Sequence, residues 1–137
     1  MKPLALEWMG DLKFRNQSGS PAIELHSSTP GVPSPPEALA YAVAACMAMD
    51  VVYVVQKGRY VLERMGVVVG GERAASHPHR FTELSLQFDV TGDIPRHVVE
   101  RAIELSREKY CSVWNSLRTD VVLTTEIVIR PAGAGAA

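Results

Sequence analysis

Cysteine is scarce in this chain, with Cys46 and Cys111 the two among 137 residues. That is too few for a secreted disulfide framework. An excess of one charge is missing too. With 14 Lys and Arg against 15 Asp and Glu the formal net charge is −1, so bulk electrostatics draws the chain neither to nucleic acid nor to a membrane surface. There is no P-loop, no dinucleotide glycine fingerprint and no Gly-x-Ser-x-Gly elbow, and no cofactor is expected. His77 and His79 flank Pro78 without a carboxylate or cysteine at ligand spacing, and His26 and His97 have no partner at a telling distance. These read as exposed or isolated histidines, and no metal is expected. The segment Met1 to Glu7 lacks the long apolar core of a signal peptide, which makes a cytoplasmic location the default expectation.

What is present is a hydrophobic fraction of 47% beside a charged fraction of 21%, the composition of one compact domain with a sizeable core. The run from Ala38 to Val55 is apolar enough to mimic a membrane span. Asp50 lies within it, however, and a span needs about 20 residues and penalises an acid near its centre. A helix buried in a core, or in a dimer, is the better reading.

The chain opens with strand-like pieces over Leu4 to Met9, Lys13 to Asn16 and Ala22 to His26, with a turn at Asn16 to Ser20. Ser34, Pro35 and Glu37 form a capping box with proline in the first position, starting a helix that runs to Gln56 or Lys57 before Gly58. Strands follow over Val61 to Glu72 and Phe81 to Val90, joined by a hairpin loop, with Gly70-Gly71 read as a bulge. Val98, Val99, Ala102, Ile103 and Leu105 make the apolar stripe of a second helix that is expected to reach Cys111. A last strand spans Val121 to Ile129, and the small-residue tail 131–137 is expected to be disordered. The order βββ-α-ββ-α-β implies an α+β domain over residues 1–130, with mostly antiparallel pairing around a long buried helix.

Two thiols on separate predicted helices suggest redox chemistry more than metal binding, although a cysteine alone is more often a small buried hydrophobe. Glu37 lies nine residues before Cys46, half a turn out of phase at about 100° per residue, so it leaves the opposite helix face and serves as a cap. Asp50, four residues after Cys46, shares its face, and a carboxylate there opposes ionisation of the thiol. Activation of Cys46 therefore requires a cation from elsewhere. Cys111 has the better setting, with Arg107 and Lys109 close in sequence.

The run Ser34-Pro35-Pro36-Glu37-Ala38-Leu39-Ala40-Tyr41-Ala42-Val43-Ala44-Ala45-Cys46-Met47-Ala48-Met49-Asp50-Val51, followed by Glu108-Lys109-Tyr110-Cys111-Ser112-Val113, resembles the OsmC/Ohr superfamily, in particular its YhfA-like branch. The resemblance covers about residues 1 to 130. It implies an intertwined homodimer with two central helices buried together, and a thiol peroxidase acting on organic hydroperoxides. By the same resemblance Cys46 is the peroxidatic thiolate and Cys111 the resolving thiol, with an external dithiol as reductant. The peroxidase branches carry Glu ten residues before the first cysteine, where this chain has Pro36. They also use an arginine of the N-terminal hairpin, for which Arg15 is near in order. Two other functions stay open: a dimer that binds an apolar ligand or senses oxidants, and an interaction module with inert core cysteines.

Overall fold

The computed structural model describes residues 1–135 as two compact units, Met1–Leu39 and the chain from Ala40 onward. In the first unit β1 (Leu6–Trp8), β2 (Lys13–Asn16) and β3 (Glu24–His26) form an antiparallel meander in which Trp8 faces Phe14 and Phe14 faces Leu25. Leu6, Trp8 and Phe14 remain exposed. Arg15 pairs with Glu7 at 2.6 Å on this surface.

The capping box forms as its residues dictate. The Ser34 N–H donates to Glu37 Oε2 at 2.7 Å, and the Glu37 N–H donates to Ser34 Oγ at 3.4 Å. Helix α1 (Pro35–Lys57) starts there. By length and composition it could cross a membrane. In the second unit, however, its Val43, Ala44, Met47, Val51 and Val55 are buried in the hydrophobic core. Tyr41, Met49 and Tyr53 lie exposed on its other side.

α1 shares the hydrophobic core with a three-stranded sheet, β4 (Arg64–Arg73), β5 (Phe81–Thr91) and β6 (Val122–Arg130), in which β5 is the central strand. Period-2 alternation on β5 sends Leu84, Leu86, Phe88 and Val90 into the core, while Ser85, Gln87 and Asp89 face the other way. Helix α2 (Arg96–Leu105) adds Val99, Ala102 and Ile103 to the same core. Its entry is set by Gly92, at φ 149°, where a Cβ would lie 2.5 Å from the Val61 carbonyl oxygen.

Among the described residues, three of the four strand pairs are antiparallel, and β5 with β6 is parallel, as a connection through a helix permits. The expected bulge at Gly70-Gly71 is corrected: both glycines pair in regular register, and the irregularity falls between Glu72 and Arg73. The glycines serve close packing instead, since a Cβ on Gly70 would sit 2.8 Å from Ser85 Oγ. Of the tail, residues 136 and 137, to which the expected disorder extends, lie outside the described residues. Before them, the Ala132 N–H bonds Asp93 at 3.1 Å and the Gly133 N–H bonds Glu63 at 3.0 Å.

Candidate functional site

Cys46 sits in mid-helix on α1, half-buried. The other half of the site comes from irregular backbone. The second helix was expected to carry Cys111, but α2 ends at Leu105 and the chain widens into a π turn over Ser106–Tyr110. The turn closes with an i+5 bond, from the Cys111 N–H to the Ser106 carbonyl at 2.8 Å. Cys111 itself is extended (φ −74°, ψ 100°) and buried, and a short 3₁₀ turn follows at Trp114–Ser116. The apolar stripe of α2 ends at Leu105, and the polar residues 106–109 carry the chain into the π segment, whose wider turn breaks the helical phase.

The turn delivers Cys111, Ser112 and Val113 to Cys46. Burial is the largest influence on the Cys46 thiol and pushes it up. Hydrogen bonds from the Val113 N–H, the Cys111 thiol and the Ser112 hydroxyl outweigh it and hold Cys46 below the ordinary thiol range; the charge of Asp50, which raises it, counts least. The activating cation that the sequence called for is thus replaced by neutral donors. Cys111 goes the opposite way, reversing its expected advantage. Burial, above all, pushes it up to about 11, helped by its hydrogen bond to Cys46 and by the Cys46 charge, while N–H bonds from Trp114 and Val113 oppose the rise. The Trp114 N–H lies 3.3 Å from the Cys111 sulfur. Arg107 and Lys109 are exposed.

Asp50 has a different task from the one its spacing suggested. Its Oδ2 accepts a 2.6 Å hydrogen bond from the hydroxyl of Ser106, which is fully buried. The clue in the sequence was a serine on the inward stripe of α2, three residues past Ile103, where an apolar side chain belongs. Asp50 also lines a cavity of about 640 Å³, together with Tyr53, Val54 and Lys57 of α1 and with Leu105 and Tyr110. No cluster of His, Cys, Asp and Glu able to hold a metal occurs among the described residues.

These elements sit within a sequence pattern shared with known proteins. The pattern described as OsmC-like protein matches residues 28–126, a span that includes both cysteines. The chain belongs to the OsmC-like protein family. It is 38% identical over 122 residues to Protein YhfA of Escherichia coli (strain K12), covering 87% of this chain and 91% of that relative. A crystal structure of a hypothetical protein from Aquifex aeolicus VF5 superposes with a TM-score of 0.86 at 23% identity, over 96% of this chain and 97% of that one. A Legionella pneumophila protein, described as an organic hydroperoxide resistance protein OsmC, gives a TM-score of 0.68 at 16% identity, over 95% and 98% of the two chains. At such identities the two structures speak for the shared OsmC-like α+β fold.

Proposed function

We propose that this OsmC-like protein is a thiol peroxidase that reduces organic hydroperoxides, with Cys46 as the peroxidatic and Cys111 as the resolving cysteine. The reading is carried by the π turn that brings Cys111 back to the helical Cys46, with Cys46 pushed towards thiolate and Cys111 towards thiol. The hydroperoxide-resistance description of a structural relative adds support.

The Cys46 thiolate attacks the outer peroxide oxygen. An S–O bond forms, the O–O bond breaks, and the alcohol leaves with a proton while Cys46 becomes a sulfenic acid. That oxidation removes the Cys46 charge, one of the influences that hold the Cys111 proton on. Cys111 then attacks the sulfenic sulfur, expelling water and forming the disulfide. An external dithiol reduces it to two thiols and is itself oxidised. The working form is a homodimer in the cytoplasm that needs neither nucleic acid nor membrane. The exposed Tyr41, Met49 and Tyr53 on α1 are the residues a second copy would cover.

The test is consumption of cumene hydroperoxide with dithiothreitol as reductant. Wild type turns over and Cys46→Ser does not; activity that survives the substitution eliminates Cys46 as the nucleophile. A second reading, binding of an apolar ligand, is favoured by the cavity beside Asp50. Displacement of a fluorescent fatty-acid probe by a protein that shows no turnover would select it.

A further inference from the structure

Among the described residues, a partly buried hydrogen bond ties the helix that carries Cys46 to the π turn that precedes Cys111. Ser106 is the first residue of the π turn and is fully buried. Its two polar groups point to two parts of the site. The hydroxyl donates to Asp50 Oδ2 at 2.6 Å, one helical turn along α1 from Cys46. The carbonyl accepts the Cys111 N–H at 2.8 Å. Ser112 and Val113, which supply donors to the Cys46 sulfur, follow directly.

We propose that Asp50 and Ser106 are positioning residues: the hydrogen bond from the buried Ser106 hydroxyl to the half-buried Asp50 anchors the π turn on α1 and so holds the Cys111-Ser112-Val113 segment against Cys46. The proposal rests on the reading of Cys46 as the reactive thiol, but its measurement requires no turnover. A π turn strung between α2 and a 3₁₀ turn has poorer backbone bonding than a regular helix and needs an external fix. A charge-assisted bond is stronger than a neutral one, and a buried Ser106 hydroxyl without it would be left unsatisfied.

Two opposed expectations make the role testable. The ionisable groups that act on Cys46 are Asp50, on its own helix, and Cys111, from the turn. If Asp50 acted through its charge alone, removing it would make Cys46 more acidic, because that charge raises the thiol. If it acts as an anchor, removing it lets the donors drift and makes Cys46 less acidic. The sign decides.

The experiment is alkylation of Cys46 by iodoacetamide across pH, read on the Cys46 peptide by mass spectrometry, in folded wild type, Asp50→Ala, Ser106→Ala and Asp50→Asn. Asp50→Ala and Ser106→Ala are expected to raise the Cys46 midpoint by about one unit, roughly tenfold less thiolate at pH 7. Asp50→Asn keeps an acceptor for the Ser106 hydroxyl and is expected to leave the midpoint in place or lower it. An unchanged or lowered midpoint in Ser106→Ala overturns the proposal, as does a rise in Asp50→Asn equal to that in Asp50→Ala. Should Asp50→Ala not fold, Ser106→Ala and Asp50→Asn still decide between the signs. Wild type that titrates as described but leaves hydroperoxide intact would refute the peroxidase reading and leave the anchor standing.

Discussion

The two cysteines of the candidate site come from unlike backbone. Cys46 belongs to a regular helix whose buried face, Val43, Ala44, Met47, Val51 and Val55, is placed by core packing, whereas Cys111 follows a π turn that gives up helical phase. The regular side offers its thiol no activating group of its own: Asp50 raises it, and mid-helix there is little help from the dipole. The irregular side supplies the donors. The acidity of the helical thiol is thus set by the turn facing it and not by the neighbours of Cys46 on α1.

The comparison breaks most visibly when one thiol is removed at a time. Cys46→Ser should abolish hydroperoxide turnover, whereas Cys111→Ser should keep the first oxidation and stop at a sulfenic acid. Dimedone labelling of Cys46 in Cys111→Ser checks this, and an unlabelled Cys46 would show that the two thiols do not divide the work. A smaller effect is expected from Ser112→Ala, which deletes one donor. The Cys46 midpoint should rise by up to about one unit, seen as slower alkylation at pH 7.

A stability measurement sharpens the contrast from the other side. The folded Cys111 holds its proton to about 11, above the roughly 8.5 of an unfolded thiol. Between those values the unfolded state loses the proton first, so the contribution of Cys111 is intact below about pH 8.5 and is lost as pH rises through about 11. Urea midpoints should therefore fall more steeply from pH 8.5 to 11 in wild type than in Cys111→Ala. The smallest effect on the thiols is expected from Ser34→Ala. Losing the cap should cost about 1 kcal/mol of stability and leave Cys46 alkylation unchanged, because Glu37 is engaged with Ser34.

Much of the fold was legible. The capping box placed the start of α1 to the residue, and alternation with one slip at Glu83-Leu84 marked the buried face of β5. Such signals are local, and local chemistry fixes them. Both cysteines were legible as the candidate pair, but their environments were not. The stripe Val99, Ala102, Ile103 predicted a helix running to Cys111, because nothing in a single stretch of sequence announces an i+5 bond whose support is a hydroxyl–carboxylate contact 56 residues away in the chain. Asp50 was read by its charge and spacing, which is sound for a free carboxylate. Its partner Ser106 could be found only as a polar residue on an apolar stripe.

The central claim is that one site pushes its two thiols in opposite directions, and the most direct measurement follows both together. Competitive alkylation with isotopically distinct reagents, read on the Cys46 and Cys111 peptides of a single reduced sample from pH 5 to 12, gives both midpoints. The account predicts Cys46 ionising below the ordinary thiol value of about 8.5 and Cys111 near 11. Midpoints that coincide near 8.5, or a Cys111 that ionises first, would contradict it.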